Sequence, residues 1–396
     1  MLNYNSPESI FRAYFMGVIK IGGTEYMQRA LQLAYKGWGK TSPNPMVGAV
    51  VVKDDQIIGE GYHRSAGDWH AEVVALRDAG DEAEGADLYV NLEPCCHHGR
   101  TPPCTDAIID SKIKRVIAAM PDPNPEVSGK GFARLRSAGM CVETGLLRET
   151  AEQLNETYVK HVETGKPFVL IKMAMTLDGK SASKTGHSEW VSSWKSREYV
   201  HHYRAGYDAV MIGSGTMQSD DPQLTYRLGD RDDVIQPLRV VVDSKCRMTT
   251  DANMFQDIDD SSLFIATTEQ APESKISQLR AVGAEVVVVG QSTNGVDLVG
   301  VMEVLGDKGV TSVLVEGGGE FNWGLLESGL ADKIMFFVTP KLIGGRNAPT
   351  PVEGDGIEKI THALQLNGFE VEFIGDDLCI TGYVAEKGGV NVHRAR

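Results

Sequence analysis

The sequence has few cysteines, no long apolar run and a deficit of positive charge, and each shortage narrows the class of protein. Six cysteines in 396 residues, two of them adjacent, do not make a disulfide framework, which favours the reducing cytoplasm. No stretch approaches 18 uncharged apolar residues, so we predict no transmembrane helix and no membrane partner. The apolar run at 10–21 contains Arg12 and has no cleavage site after it, so we do not interpret it as a signal peptide.

The charge balance argues against nucleic acid as the main partner. Lysine and arginine number 39 against 54 acidic residues, which gives a net charge of −15. Apolar residues make up 42% and charged residues 23%, as in ordinary globular proteins. At roughly 150 residues per domain, the length predicts two or three domains. We find no internal repeat and no low-complexity tract.

The stretch from His70 to Cys104 carries the strongest chemical signal. A histidine, a glutamate two residues later and two spaced cysteines are what zinc-dependent hydrolytic deamination needs. A catalytic zinc takes three protein ligands and leaves the fourth position to water. Cys95 follows a predicted strand, and Cys104 opens a predicted helix whose dipole favours a thiolate, whereas the neighbouring side chains of Cys95 and Cys96 diverge. We therefore predict His70, Cys95 and Cys104 as ligands and Glu72 as the proton carrier.

Alternating strand and helix patterns predict two α/β domains. The first has the order β-β-α-β-α-β-α and ends near Leu147, and a helix at 151–162 follows it. The second begins with a strand at 168–173. Its further strands are predicted at 209–213, 239–243, 262–266, 285–289, 312–316 and 333–339, with helices ending near 206 and spanning 320–328.

Two glycine-containing segments follow strands of the second domain, at 213–216 and 317–319. Glycines let the backbone approach a pyrophosphate, and a helix N-terminus favours its charge, so the pair predicts a dinucleotide site. The G-x-G-x-x-G fingerprint is absent, which excludes an ordinary Rossmann site. Because basic residues are sparse here, Arg204 and Arg227 are candidate phosphate partners, whereas solvated surface arginines are the competing interpretation. We expect Trp190 and Trp194 in the core.

The order of these pieces resembles the bifunctional riboflavin-biosynthesis deaminase/reductase family of bacteria. The resemblance covers about residues 24–385, and its most specific motif is PCCHHGRTPPC at 94–104. The other matching motifs are TSPNPMVG at 41–48, His70-Ala71-Glu72, Asp122-Pro123-Asn124-Pro125, Leu177-Asp178-Gly179, Ser188-Glu189-Trp190, Asp220-Asp221-Pro222 and Val315-Glu316-Gly317-Gly318. Cys96 departs from the family, which often has a small polar residue there.

The resemblance implies a cytidine-deaminase-like three-layer α/β/α domain at 23–148 and a dihydrofolate-reductase-like α/β domain at 167–386. An N-terminal extension (1–22), a connector (149–166) and a tail (387–396) complete the expected organisation. The implied cofactors are Zn²⁺ and NADPH. The implied reactions are deamination of 2,5-diamino-6-ribosylamino-4(3H)-pyrimidinone 5′-phosphate and reduction of its ribosyl side chain, giving 5-amino-6-ribitylaminouracil 5′-phosphate. The expected partner is this small pyrimidine nucleotide, with a homo-oligomer of two or more chains.

Site residues carry over position by position. The deaminase substrate contacts implied are Asn44, His63, His97, Arg100, Asp122 and Asn124. The reductase substrate contacts implied are Lys172, Ser188, Arg204, Leu224, Arg227 and Glu316. The NADPH contacts implied are Ala174, Trp190, Thr216, Asp220, Ser244, Gly318, Gly319, Glu320, Phe321, Asn322, Trp323 and Gly324.

Two other functions fit parts of the pattern. An RNA adenosine deaminase would use the same zinc box, but the net charge of −15 disfavours it. A structural zinc module joined to a nucleotide-binding regulator would fill all four metal positions with protein ligands.

Overall fold

The computed structural model describes residues 23–97, 102–229, 234–293 and 295–385. The chain divides into two compact units at the Gly165–Lys166 bond. The predicted extension at 1–22 and tail at 387–396 lie outside the described residues. Within the described ranges, no helix combines the length and the apolar character needed to span a bilayer.

The first unit contains one five-stranded sheet in the order β2-β1-β3-β4-β5, in which β1 is antiparallel to both neighbours and β3, β4 and β5 are parallel. Its helices are α1 (Thr24–Tyr35), α2 (Ala71–Ala79), α3 (Cys104–Asp110), α4 (Lys130–Ser137), α5 (Arg148–Leu154) and α6 (Glu156–Thr164). Its strands are β1 (Gly48–Lys53), β2 (Gln56–Tyr62), β3 (Asp87–Leu92), β4 (Arg115–Met120) and β5 (Cys141–Thr144).

Alternation along the central strands separates two apolar cores. On β1, Ala49 and Val51 face the layer formed by α2, α3 and α4, whereas Val50 and Val52 face α1, α5 and α6. Successive side chains of a strand point to opposite faces, so one sheet supports helices on both sides. This three-layer arrangement confirms the predicted cytidine-deaminase-like fold.

Two local differences from the predicted elements occur in the first unit. Strand β5 was not predicted, because its four residues are mostly exposed and show no apolar pattern. The single helix expected at 151–162 is two helices with a break at Asn155. Ala151 of α5 and Val159 of α6 are buried in the core against the sheet.

The second unit contains a nine-stranded sheet in the order β10-β9-β8-β7-β13-β6-β14-β16-β15. Its main strands are β6 (Phe168–Thr176), β7 (Ala209–Gly213), β8 (Leu238–Val242), β9 (Leu263–Thr267), β10 (Glu285–Val288), β13 (Ser312–Val315), β14 (Lys333–Thr339), β15 (Leu366–Ile374) and β16 (Asp377–Val384). Its helices are α7 (Trp194–Gly206), α8 (Ser214–Asp220), α9 (Glu273–Ala281), α10 (Leu298–Asp307) and α11 (Gly319–Glu327), and β11 (Gln291–Ser292) with β12 (Gly295–Val296) forms a separate hairpin.

The sheet is parallel from β10 to β14, and only β14–β16 and β16–β15 are antiparallel. Helices cover the parallel part, which matches the predicted α/β class. The terminal hairpin β15–β16 was not predicted. The glycine segment at 213–216 is the end of β7 and the first turn of α8 rather than a loop.

Candidate active sites

Three ligand-type side chains of the first unit converge between α2, α3 and the end of β3. His70 directly precedes α2, Cys95 lies in the loop after β3, and Cys104 begins α3. Gly61 of β2 allows the start of α2 to lie against the sheet, since a Cβ there would be 2.4 Å from the Ala71 carbonyl oxygen. Cys95 follows a strand and Cys104 begins a helix, as the sequence predicts, because the helix and strand patterns around the motif are strong.

The three ligand atoms lie within one coordination sphere. His70 Nδ1 is 3.0 Å from Cys104 Sγ and 3.5 Å from Cys95 Sγ, and the two sulfurs are 3.3 Å apart. Around a tetrahedral zinc, a nitrogen and two sulfurs lie about 3.6–3.8 Å apart. Two thiolates and one imidazole are ligands that zinc prefers, so a small outward movement of the three side chains admits the ion. Within the described ranges this is the one His/Cys/Asp/Glu cluster able to hold a metal.

Glu72 lies beside the cluster in the first turn of α2 and is 3% exposed. Its Oε2 is buried with no hydrogen-bond partner among the described residues. Burial raises the pKa of Glu72 to about 7. A carboxyl with such a pKa takes up and releases a proton near neutral pH, and an orphaned oxygen is what a bound water or substrate proton would satisfy.

Two more predicted residues are adjacent to the cluster. Asn44 Nδ2 lies 3.1 Å from His63 Nε2, and the His63 ring meets the His70 ring edge-on at 5.4 Å. His63 is 3% exposed, and burial lowers its pKa, which favours the neutral ring. The neutral ring keeps one nitrogen as an acceptor, so Asn44 and His63 form a polar wall beside the candidate metal site.

Asp122 and Asn124 leave the sheet at the same edge as Cys95. Strands β3 and β4 are parallel with Leu92 opposite Met120, so the loops that follow them are neighbours. Asp122 is 6% exposed, and burial raises its pKa. Its Oδ1 accepts hydrogen bonds from the Asn124 backbone N–H and from the Tyr158 hydroxyl, both at 2.9 Å.

Sequence reasoning missed Glu93, which holds that loop in place. Its carboxylate is 3% exposed and accepts backbone hydrogen bonds from Asp122, Gly129 and Phe132. A lone glutamate before Pro94 gave no signal for this role, because its partners are backbone groups far along the chain.

The cysteine-containing loop after β3 is only partly described. His97 is exposed and Cys96 is half-buried. Arg100 lies outside the described residues, so its predicted substrate contact stays a prediction.

In the second unit, the end of β13 and the middle of β6 bring a carboxylate to a lysine. Val315 pairs with Ile171, so Glu316 follows beside Lys172. Glu316 Oε2 is 3.5 Å from Lys172 Nζ, and its Oε1 is 2.6 Å from Arg204 Nε, near the end of α7. Burial alone would raise the pKa of Glu316, but Arg204 and Lys172 outweigh it and lower the pKa to about 2. The carboxylate is therefore ionised between two cations.

The remaining predicted substrate contacts of this unit lie on two loops. Leu224 is buried in a left-handed conformation (φ 60°), in the same loop whose Thr225 carbonyl accepts a hydrogen bond from Arg204 at 3.2 Å. Arg227 is exposed at the end of this loop, and Ser188 is half-buried in the segment before α7. Arg204, by contrast, is 12% exposed at its side chain and is not a solvated surface arginine.

The two glycine segments lie side by side, because β7 and β13 are adjacent and parallel with Val315 opposite Met211. Among the described residues, a Cβ on Gly318 would meet only Thr216 Oγ1, at 3.6 Å, and a Cβ on Gly215 would meet nothing within 4 Å. Gly318 precedes α11, whose N-terminal N–H groups favour an anion. This open cradle fits the phosphates of a dinucleotide.

The other predicted cofactor contacts differ in their exposure. Asp220 and Glu320 are exposed, Ala174, Thr216, Ser244 and Phe321 are half-buried, and Gly319 and Asn322 are buried. The buried Asn322 donates to the Pro351 and Gly317 carbonyls, which ties α11 to its surroundings. Trp323 and Gly324 lie further along α11.

Trp190 and Trp194 are exposed, at 61% and 59%, so the expectation that they lie in the core is wrong. The Arg197 guanidinium lies 4.3 Å from the Trp190 ring centroid and 5.6 Å from that of Trp194. Tryptophan's large apolar ring predicts burial, but stacking with the Arg197 guanidinium stabilises both rings at the surface.

Both units match described protein families. Residues 167–380 match the RibD C-terminal domain, and residues 23–120 match the cytidine and deoxycytidylate deaminase zinc-binding region.

Full-length relatives match across both units. The chain is 41% identical to the riboflavin biosynthesis protein RibD of Actinobacillus pleuropneumoniae, over 90% of this chain and 94% of that protein. It is 40% identical to RibD of Escherichia coli, over 90% and 97%. The solved structure of Acinetobacter baumannii RibD is similar with a TM-score of 0.82 at 35% identity, covering 92% of this chain and 99% of that one. The Thermotoga maritima diaminohydroxyphosphoribosylaminopyrimidine deaminase/5-amino-6-(5-phosphoribosylamino)uracil reductase has a TM-score of 0.80 at 36% identity, with 91% and 98% coverage.

Proposed function

Because the chain belongs to the RibD family of bifunctional riboflavin-biosynthesis enzymes, we propose that the two residue clusters described above are its two active sites. The protein is a zinc-dependent deaminase and an NADPH-dependent reductase. It deaminates 2,5-diamino-6-ribosylamino-4(3H)-pyrimidinone 5′-phosphate and then reduces the ribosyl side chain to ribityl. The observation that carries the assignment of residues is the His70, Cys95 and Cys104 cluster beside the orphaned carboxylate oxygen of Glu72.

In the deaminase, His70, Cys95 and Cys104 hold the zinc. Bound zinc supplies the Lewis acidity that makes water nucleophilic near neutral pH. Glu72 accepts a proton from the attacking water and delivers it to the departing amino nitrogen. A C–O bond forms at C2 of the pyrimidine, the C2–N bond breaks, and ammonia leaves.

The polar residues around the metal orient the substrate. Asn44 and His63 contribute hydrogen-bonding groups beside His70. Asp122 and Asn124 contribute a second set from the loop after β4. The oxygen Oδ1 of Asp122 accepts two hydrogen bonds within the protein, so we assign the substrate contact to Oδ2. By the family resemblance, His97 and Arg100 also bind the substrate, and the basic side chain of Arg100 suits its phosphate.

In the reductase, NADPH supplies the hydride, and Lys172, Arg204 and Glu316 bind and orient the sugar. Two cations share the one carboxylate, so the cluster carries a net positive charge that favours a phosphorylated substrate. Ser188, Leu224 and Arg227 border the same ligand. The cradle of Gly318 and Thr216 holds the cofactor phosphates, with Ala174, Trp190, Asp220, Ser244 and the first turns of α11 (Gly319, Glu320, Phe321, Asn322, Trp323 and Gly324) as its surroundings.

We also propose a homo-oligomer and a cytoplasmic location. The edge strand β15 exposes Phe369, Val371 and Phe373 at 59%, 53% and 64%. Monomeric proteins rarely leave such contiguous apolar surface in water, which supports self-association. All six cysteines are free, as expected of a reducing compartment. Sedimentation equilibrium measures the oligomer, and a monomeric mass across the micromolar range would contradict it.

Incubation with the diaminopyrimidinone nucleotide tests both activities. Ammonia release and NADPH oxidation are followed separately, with and without a zinc chelator. We expect ammonia release without NADPH, loss of that release on chelation, and NADPH oxidation only after deamination. Retained ammonia release in a fully zinc-free protein would overturn the site assignment. Deamination of tRNA in place of the nucleotide would overturn the substrate.

A further inference from the structure

Helices α5 and α6 lie between the two matched families, at 148–164, yet they contribute side chains to the deaminase loops. Residues 23–120 match the deaminase region and 167–380 the reductase, so this segment falls outside both. Ala151 and Val159 bury it against the first unit's sheet. Apolar packing of this kind is enough to hold the helices against the sheet, and it does not explain polar side chains that contact other loops.

Asn155, at the break between α5 and α6, binds the backbone of a distant loop. It is 1% exposed. Its Oδ1 accepts from the Met46 N–H at 2.8 Å, and its Nδ2 donates to the Met46 carbonyl at 3.0 Å. Asparagine commonly caps a helix N-terminus with its side chain, but here it makes no cap hydrogen bond with α6. Both the oxygen and the nitrogen of its side-chain amide bind the Met46 backbone.

The loop that Asn155 holds carries Asn44. Asn91 of β3 also donates to the Met46 carbonyl, at 2.9 Å, so this backbone is fixed from two sides. Two residues before Met46, Asn44 reaches His63 Nε2 at 3.1 Å, and His63 lies edge-on to the zinc ligand His70. A shift of the Met46 backbone would therefore move Asn44 relative to the reacting ring.

Tyr158, one turn beyond Asn155, holds the other substrate loop. Its hydroxyl donates to Asp122 Oδ1 at 2.9 Å. This bond fixes the carboxylate orientation together with the Asn124 N–H on the same oxygen. Asn155 and Tyr158, two polar side chains of this helical segment, thus contact the two loops that border the candidate deaminase site.

We propose that Asn155 and Tyr158 are positioning residues of the deaminase, and that the segment at 148–164 is a working part of that site rather than a linker between two enzymes. Asn155 acts through Met46 on Asn44, and Tyr158 acts on Asp122. This inference rests on the proposed function for its two end points, Asn44 and Asp122. Misplacing substrate-orienting groups by about 1 Å can lower activity roughly 100-fold without any change in the reacting groups.

The test uses full-length variants, because the reductase of the same chain provides an internal control. For Asn155→Ala we expect the deaminase KM to rise about tenfold, because the Asn44 loop loses two hydrogen bonds. Zinc content and NADPH oxidation on the deaminated substrate stay as in the wild type. Glu152→Ala is the matched control, since Glu152 lies in α5 and forms an ion pair with Arg148 of the same helix. It should leave both activities unchanged.

Tyr158→Phe removes a single oxygen and keeps the proposal testable if Asn155→Ala fails to fold. Burial raises the pKa of Asp122, and Glu93 and Cys95 raise it further, whereas hydrogen bonds from the Asn124 N–H and the Tyr158 hydroxyl lower it. Loss of the hydroxyl should shift the acid limb of the deaminase pH profile to higher pH, with KM raised about fivefold. Tyr26→Phe is its matched control, because that hydroxyl binds the Asp55 carbonyl at the β1–β2 turn.

The outcomes separate this inference from the proposed function. A wild-type chain that releases no ammonia from the nucleotide would overturn the proposed function itself. An active wild type whose Asn155→Ala and Tyr158→Phe variants keep its KM and pH profile would overturn only the positioning roles. Equal loss of deamination, zinc and thermal stability in both variants would show a purely structural segment and would also overturn them.

Discussion

Arg204 and Glu316 form an ion pair whose side chains are only 12% and 10% exposed, with Nε 2.6 Å from Oε1. Lys172 shares the same carboxylate at 3.5 Å. Removing one partner of a buried pair leaves an uncompensated charge, which costs more than the pair itself contributes. The cluster is therefore sensitive to substitution.

Glu316→Gln should abolish the reductase without harming the deaminase. The variant leaves Arg204 and Lys172 facing each other without a carboxylate, which we expect to destabilise the second unit by about 3 kcal/mol. NADPH oxidation should fall about 100-fold. Urea unfolding and the two activity assays measure these effects. An unchanged rate of NADPH oxidation would contradict the assignment, and wild-type ammonia release is the control.

Acid should remove the stabilisation that Glu316 provides. The pKa of Glu316 is lowered to about 2 in the folded chain, from an ordinary value of 4.5. A depressed pKa in the folded state gives stability that is complete above 4.5 and is lost as the pH falls toward 2. Unfolding of the second unit, followed between about pH 6 and 3, should show the wild type approaching Glu316→Gln at the acid end. Parallel curves for the two proteins would contradict this.

Glu72→Gln should retain zinc and lose ammonia release. Glutamine has the shape of the buried glutamate but does not carry a proton between water and the leaving nitrogen. We expect a decrease of roughly 10²–10⁴-fold in the deaminase rate, with the zinc content unchanged. Metal analysis and ammonia assays on the same sample measure both. Full ammonia release by this variant would refute the role of Glu72.

Gly318→Ala should weaken NADPH binding, whereas Gly319→Ala should lower the melting temperature. In the described part of the chain a Cβ on Gly318 meets only Thr216 Oγ1, at 3.6 Å, so we expect the variant to fold but to fill the proposed phosphate cradle. We expect its NADPH affinity to fall about tenfold with an unchanged melting temperature. A Cβ on Gly319 would lie 2.5 Å from the Thr350 carbonyl oxygen, so that variant should melt lower. NADPH fluorescence titration and thermal melts distinguish them, and wild-type affinity in Gly318→Ala would remove the cradle from the cofactor site.

The zinc cluster could be predicted from sequence because its residues stand at the ends of strongly patterned elements. His70 directly precedes a helix, Cys104 begins one, and Cys95 follows the end of a strand by three residues, and such ends converge in α/β folds. Glu93 and Asn155 could not be predicted, because their partners are backbone groups. A backbone N–H or carbonyl has no residue type, so no sequence pattern marks it as the target of a distant side chain.

The terminal hairpin was missed for a different reason. Strand β15 alternates exposed Phe369, Val371 and Phe373 with other residues, so its apolar face does not point into this unit's core. The other strands of this unit were predicted from apolar runs that a sheet core buries, and a strand whose apolar residues are exposed lacks such a run.

The sheet order of the second unit also governs when this enzyme can become active during synthesis. Strands β6 and β7 do not pair with each other, because β13 lies between them. Lys172 and Arg204 precede β13 in the chain, so both are synthesised well before Glu316, which directly follows that strand. The residues of the first unit are contiguous along the chain and are complete earlier. A nascent chain can thus fold its deaminase before the central strand β13 of the reductase sheet has been synthesised.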